Sequence, residues 1–131
     1  MKMSFPSNAA MPWKERDLQK ACAAYLMALE RLGMLTFSHS PNEAKRSVYS
    51  AASLKAQGMR TGEPDLCILI KGGTTIFVEL KTMTGVISKA QQLRSALLGA
   101  LGFKSYVLLG ESPQDAVNNL QSMLRENGVP V

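Results

Sequence analysis

The sequence has few cysteines and no long apolar run, and both features narrow the class of protein. Its two cysteines, Cys22 and Cys67, lack metal-ligand spacing and lie in apolar segments, so we expect reduced core thiols and no disulfide framework. Apolar runs such as 66–70 are far shorter than the roughly 18 residues that a transmembrane helix needs. The N-terminus also lacks the apolar core of a secretory signal. We therefore expect a soluble protein of the cytoplasm.

Two recognition elements are also missing from the sequence. It contains no glycine-rich phosphate cradle, which argues against a hydrolase of small phosphate compounds. Nothing in it resembles a groove-reading helix or a zinc finger, which argues against sequence-specific reading of DNA.

Length and charge favour one basic domain. With 131 residues, of which 46% are apolar, the chain suffices for one packed core but not for two ordinary domains. A formal charge of +5 favours contact with a polyanion without requiring it. The basic residues are scattered along the chain, so any nucleic-acid surface must be assembled by the fold.

Hydrophobic periodicity predicts a single α/β domain over residues 11–131, preceded by a flexible arm over 1–10. We expect a mixed sheet of about four strands flanked by helices, in the order α, β, α, β, β, α, β, α. Pro12 suits the first turn of the first helix, and Gly33 offers its stop. The other predicted ranges are 34–38, 46–57, 65–70, 74–81, 88–101, 104–109 and 112–127.

Charged residues at the end of the predicted hairpin carry the chemistry. Asp65 opens an apolar strand, and Glu79 stands between Val78 and Leu80, where an unpaired buried carboxylate would cost several kcal/mol. Lys81 shares a strand face with Glu79 because side chains alternate with a period of two. Two carboxylates suit Mg²⁺ or Mn²⁺, and an ammonium group beside such a metal can stabilise negative charge on a phosphate or hold the attacking water. The structural alternative is a buried Glu–Lys ion pair.

The register of the hairpin decides whether these groups can meet. A two-residue turn at Gly72 and Gly73 would place Asp65 opposite Leu80, on the sheet face away from Glu79. We therefore predict a three-residue turn or a β-bulge, which shifts the register by one residue and brings Asp65 beside Glu79.

Three sequence motifs resemble those of one nuclease family. The segments 62–66 (GEPDL), 77–81 (FVELK) and 85–91 (GVISKAQ) occur in the order and with the short gaps of the VRR-NUC family, within the PD-(D/E)XK nuclease superfamily. The resemblance extends from about Glu15 to Leu109. It implies a restriction-endonuclease-like fold that hydrolyses DNA phosphodiester bonds with Mg²⁺ or Mn²⁺.

The resemblance also implies a set of site residues. Asp65 and Glu79 would be metal ligands together with the backbone carbonyl of Leu80, and Lys81 would be the catalytic lysine. Gln91 would be the glutamine of the following helix, although its spacing from Ser88 also makes it a capping-box residue.

Glu15 is the glutamate that the resemblance assigns to the first helix. Its spacing from Leu18 and Cys22 puts it on the apolar stripe, so we expect a buried carboxylate that orients Lys81 or a water. The alternative is an acid that only favours the helix dipole.

A polar loop and a short turn are candidate substrate contacts. Loops of this kind often carry binding residues. The candidates are His39, Asn42, Lys45, Arg46 and Thr84.

The resemblance implies an endonuclease selective for branched or Holliday-junction DNA, acting as a homodimer. Two sites on a symmetric dimer suit a substrate with approximate two-fold symmetry. The lack of appended modules suggests a phage or mobile-element origin, and hence the cytoplasm of a host cell. A non-catalytic DNA-binding module on the same fold is the alternative, and an RNA-directed nuclease is another.

Overall fold

A computed structural model describes residues 12–40 and 48–131 of the chain. The described elements are α1 (Glu15–Arg31), β1 (Leu35–His39), α2 (Val48–Ala56), β2 (Leu66–Ile70), β3 (Thr74–Thr82), α3 (Lys89–Ala100), β4 (Lys104–Gly110) and α4 (Pro113–Glu126). Their order is the predicted one. The predicted arm over 1–10 lies outside the described residues.

The sheet is mixed, as predicted, and has the strand order β1-β2-β3-β4. Strands β1, β2 and β3 pair antiparallel, whereas β4 lies parallel to β3. The parallel pairing requires a crossover between β3 and β4, and α3 provides it.

One face of the sheet, called the first face, carries the hydrophobic core. Helix α1 buries four residues at spacings of four, four and three (Leu18, Cys22, Leu26, Leu29), and α4 buries Ala116, Leu120, Met123 and Leu124. These side chains form one cluster with the alternate strand residues Leu66, Ile68, Ile76, Val78, Leu80 and Leu108. This core packs β2 and β3 against α1 and α4.

Helix α3 covers part of the second face. Ser95 Oγ on α3 donates a hydrogen bond to Ser105 Oγ on β4 at 3.0 Å. Beyond the helix, Phe103 packs edge-on against Phe77 of β3, with ring centroids 5.7 Å apart. Because helices lie on both faces, the carboxyl end of β3 is buried on both sides, and Glu79 and Lys81 are each only 7% exposed.

Three sequence predictions need correction. Pro12 precedes α1 and is not in its first turn, because the Asp17 carboxylate accepts the Lys14 N–H at 2.8 Å and the helix begins at Glu15. His39 ends β1, where it pairs with Leu66, and does not open a loop. Cys67 is a free thiol but only half-buried, because it faces the second side of the sheet, whereas Cys22 is buried as expected.

Candidate active site

The hairpin turn brings Asp65 to the same sheet face as Glu79. Ile70 pairs with Thr74 and Leu66 with Val78, so three residues, Lys71 to Gly73, form the turn. Gly72 and Gly73 both have positive φ angles, of 99° and 101°, which only glycine adopts readily. The predicted three-residue turn is therefore confirmed, and its register places Asp65 opposite Glu79.

Asp65 is held through its side chain and its backbone. Its carboxylate oxygen Oδ2 accepts the N–H of Leu80 at 2.7 Å. Its carbonyl accepts the N–H of Ser40 at 2.9 Å and lies 2.8 Å from Nδ1 of His39. Because a carbonyl oxygen can only accept, Nδ1 is the protonated nitrogen of His39 and donates. The Asp65 carboxylate is therefore fixed in position before any ligand binds.

Three carboxylates converge at this end of the sheet. One oxygen each from Glu15, Asp65 and Glu79 lies within 4.8 Å of the other two. Glu79 is buried, Asp65 is half-buried and Glu15 is exposed, so the cluster runs from the sheet outwards to solvent. Oxygen donors of this kind fit a hard divalent cation such as Mg²⁺ or Mn²⁺, which prefers carboxylates and water.

Burial and neighbouring charges disfavour the ionised form of Glu79. The pKa of Glu79 is raised from 4.5 to about 8, and desolvation by burial is the largest cause. A hydrogen bond with the Asp65 carboxyl and the negative charge of that group contribute to this rise, and Glu15 adds a smaller effect. Lys81 acts in the opposite direction and lowers the pKa. Without a cation, the cluster therefore retains a proton at neutral pH.

The proton on Glu79 predicts a pH dependence of stability. Without divalent cations the folded state keeps this proton up to about pH 8, whereas the unfolded chain releases it near 4.5. The folded state thus binds more protons in this window, and the free energy of unfolding should fall as pH rises from 5 to 8, by about 1 kcal/mol per pH unit.

Urea unfolding in EDTA at several pH values measures this dependence. Glu79→Gln should flatten the slope between pH 5 and 8, because the amide mimics the protonated acid. Glu126→Gln removes an exposed carboxylate from the end of α4 and serves as the control. An unchanged slope in Glu79→Gln would show that Glu79 is already ionised at pH 5.

Lys81 completes the cluster. Its Nζ lies 3.5 Å from Oε1 of Glu15, and its aliphatic stem packs under the turn after β3, where a Cβ on Gly85 would come within 3.1 Å of Lys81 Cδ. Glu15 therefore forms an ion pair with Lys81. The expected burial of Glu15 is wrong, because it is the first residue of α1 and its side chain is 48% exposed.

Gln91 makes the contacts of a capping-box residue and also contacts the carboxylate cluster. Its Oε1 accepts the N–H of Ser88 at 2.9 Å, and its own N–H bonds to Ser88 Oγ at 3.1 Å, which forms the capping box of α3. Its Nε2 meanwhile donates to Glu79 Oε1 at 2.8 Å. One side chain thus ties the start of α3 to the carboxylate cluster.

The segment before Asp65 docks onto α3 through contacts that sequence analysis missed. Gly62 has a φ of +76°, and a Cβ there would lie 2.4 Å from the Ala90 carbonyl. Arg94 forms an ion pair with Glu63, with Nη2 3.0 Å and Nε 3.1 Å from Oε2. A glycine three residues before Asp65 was the available signal, but its partner lies 28 residues away and no local pattern indicates it.

The remaining predicted site residues are less closely connected to the cluster. His39 is exposed and touches the backbone of Asp65. Thr84 is exposed in the turn that follows β3. Asn42, Lys45 and Arg46 lie outside the described residues. Leu80 is buried, and its N–H donates to the Asp65 carboxylate.

Comparison with protein families identifies the family of this chain. The model of the VRR-NUC domain family matches residues 7–112, which is most of the chain and includes the whole carboxylate cluster. The chain belongs to the VRR-NUC family. VRR-NUC domains are of the nuclease type, and membership supports DNA as the substrate of this chain.

Solved structures agree with the VRR-NUC assignment. A VRR-NUC domain protein superposes with a TM-score of 0.64 at 20% identity, over 86% of this chain and 89% of the other. A second VRR-NUC domain gives a TM-score of 0.54 at 18% identity, over 82% of this chain and 94% of the other. At these identities the likeness shows the fold. A search of curated protein sequences gave no match.

The VRR-NUC chain shows no helix that could span a membrane. Within residues 12–40 and 48–131, every helix is too short or too polar to cross a bilayer.

Proposed function

We propose that the chain is a metal-dependent DNA endonuclease whose active site is the carboxylate cluster. One observation carries the proposal: oxygens of Glu15, Asp65 and Glu79 lie within 4.8 Å of one another, beside the buried Lys81. Burying Glu79 and Lys81 serves no structural purpose that apolar residues would not serve better. Asp65, Glu79 and the carbonyl of Leu80 would hold Mg²⁺ or Mn²⁺.

Each side chain of the cluster has a distinct task in the proposed mechanism. A bound Mg²⁺ or Mn²⁺ would supply Lewis-acid stabilisation of charge at the phosphate. Lys81 stabilises negative charge on the scissile phosphate and holds the attacking water. Glu15 orients the Lys81 ammonium, and the Leu80 N–H orients Asp65. His39 and Thr84 would contact the DNA strand near the cluster. Asn42, Lys45 and Arg46 stay predicted substrate contacts.

The test of the proposal is cleavage of a panel of labelled nucleic acids. Four-way junction, flap, single-stranded and duplex DNA are each incubated with Mg²⁺, with Mn²⁺ and with EDTA, alongside RNA of matched sequence. We expect cutting that requires the metal, with branched DNA cut faster than duplex. Cutting of RNA alone would redirect the proposal to RNA. Binding that persists in EDTA without cleavage in any metal would favour a non-catalytic binding module.

Gln91 offers a way to separate helix capping from a role at the site. Ser88→Ala and Gln91→Ala should each lower the free energy of unfolding by about 1 kcal/mol, because each removes part of the capping box. Gln91→Ala should in addition lower kcat for DNA cleavage by about tenfold, since Glu79 loses its amide donor. Equal kcat values in the two variants would assign Gln91 to capping alone.

We also propose that the protein acts as a homodimer through the outer face of α3. Leu93, Leu97 and Leu101 recur every four residues and are 61%, 45% and 68% exposed, so they form an uncovered apolar ridge. Such a ridge can pack against its own copy across a two-fold axis, because leucine side chains carry no charge that would repel an identical surface. A symmetric pair of sites would suit a branched substrate.

Light scattering coupled to size exclusion measures the expected dimer. Leu97→Glu should convert a wild-type dimer to a monomer by burying a carboxylate in the interface. Leu32→Glu alters a leucine that is 69% exposed after α1 and should leave the dimer intact. A monomeric wild type at micromolar concentration would contradict the proposed assembly.

A further inference from the structure

A cavity adjoins the carboxylate cluster on the side of β4. It has a volume of about 350 Å³ and lies between α3 and the second face of β3 and β4. Glu79 and Gln91 belong both to its lining and to the cluster. Its size falls within the roughly 300–1,000 Å³ of pockets that take small organic groups. A group seated there would therefore lie directly beside the cluster.

The lining of the cavity selects against charged groups. Pro64, Ile87 and Val107 provide aliphatic walls, and Ser95, Ser105 and Gln92 provide uncharged polar groups. Among the described residues that line it, Glu79 is the one carboxylic acid, and none is Lys or Arg. A phosphate would meet a carboxylate and no cation there. A flat, neutral group with hydrogen-bonding edges fits this surface.

We propose that this cavity receives one unpaired nucleobase of the DNA strand whose phosphate lies at the carboxylate cluster. The inference rests on the proposed nuclease function and adds a source of substrate selectivity. The base and phosphate of one nucleotide are joined by a single sugar, so a base in the cavity keeps its phosphate beside Glu79. Aliphatic walls can sandwich a base while hydroxyl and amide groups bond to its edge.

The cavity explains why branched or single-stranded DNA would be preferred. A base within a duplex must unstack and unpair before it can enter a pocket, and this costs a few kcal/mol. A nucleotide at a branch point or in a single strand has already lost its pairing. The cavity therefore favours cleavage next to unpaired nucleotides without reading their sequence.

Substrates that lack one base test the cavity directly. The cut site on flap DNA is mapped first, and each nucleotide that flanks the cleaved bond is then replaced in turn by an abasic residue. We expect one of these replacements to lower kcat/KM of the wild type by about tenfold, the order of effect of losing one stacked base. An abasic residue three positions away should have no effect.

A variant that fills the cavity gives the matched protein test. Val107→Phe enlarges a half-exposed lining residue of β4, and Leu69→Phe makes a similar change on the same sheet face outside the cavity. Val107→Phe should cut the intact flap about tenfold more slowly and show no further abasic penalty. Leu69→Phe should keep the full penalty. A full abasic penalty in Val107→Phe, or none in the wild type, would overturn the proposal.

Fluorescence of 2-aminopurine separates failure of the cavity from failure of the proposed function. With the probe at the branch point and Lys81→Met protein in EDTA, which keeps the strand uncut, binding should change the emission, and adding Val107→Phe should abolish that change. If the wild type cuts no DNA but the change occurs and depends on Val107, the nuclease function fails and the base pocket stands. Absence of cutting and of the change would overturn both.

Discussion

Replacing Lys81 with methionine is expected to lower kcat for DNA cleavage by about 10²–10³-fold, the usual effect of removing one group that stabilises transition-state charge. Methionine keeps the length and apolar stem of the side chain, which is only 7% exposed, and removes the ammonium group. The substitution also removes a positive charge that lowers the pKa of Glu79, so Glu79 should hold its proton more firmly.

Lys71→Met is the matched control for Lys81→Met. Lys71 is exposed in the turn at the opposite end of the same hairpin, so its replacement removes an equal charge far from the cluster. Single-turnover cleavage and urea unfolding are measured on both variants. We expect Lys71→Met to cut at nearly the wild-type rate. If Lys81→Met also cuts at that rate while folded, the lysine is only a structural partner of Glu15.

Gly62→Ala is expected to produce a large loss of stability, about 3 kcal/mol. An L residue at φ +76° costs roughly 1–2 kcal/mol, and overpacking against fixed atoms adds a similar amount. The new Cβ would lie 2.4 Å from the Ala90 carbonyl carbon and 2.7 Å from the Gln91 nitrogen. Both are backbone atoms, so relief requires a shift of α3, which would also move the Gln91 amide away from Glu79.

Gly33→Ala separates the two causes of the Gly62 effect. Gly33 has a φ of +75°, nearly that of Gly62, but a Cβ there meets nothing within 4 Å. Its replacement should cost only the backbone strain, about 1 kcal/mol. Urea unfolding followed by circular dichroism compares the variants. Equal losses at the two positions would mean that the 62–65 segment is not packed against α3.

Hydrophobic spacing and turn residues predicted most of the fold, because helices, strands and turns depend mainly on residues that are close together in the sequence. The spacing of Leu18, Cys22, Leu26 and Leu29 is enough to indicate one buried helix face. The turn at Gly72 and Gly73 could be resolved because two carboxylates had to share a sheet face, and this requirement selected the three-residue register. The prediction that Pro12 lies in the first turn of α1 was wrong, because the Asp17 carboxylate accepts the Lys14 N–H and the helix begins at Glu15.

Contacts between distant segments could not be read from the sequence. The Glu63–Arg94 ion pair and the approach of Gly62 to Ala90 join segments about 30 residues apart, and both residues of the ion pair would suit solvated surface positions equally well. The exposure of Glu15 likewise depends on where α1 begins relative to the sheet. The spacing of residues in the sequence indicated which side chains could meet. The packing of the helices on the sheet determines which of those side chains are exposed to solvent.

The rate of cleavage of a labelled four-way junction as a function of Mn²⁺ concentration tests the central claim most directly. The wild type is compared with Asp65→Asn, which keeps an oxygen to accept the Leu80 N–H but loses the negative charge at the cluster. We predict saturable activation of the wild type by Mn²⁺, no cutting in EDTA, and binding without cutting by Asp65→Asn. Cutting in EDTA, or the same Mn²⁺ dependence in both proteins, would contradict a metal-dependent nuclease centred on Asp65 and Glu79.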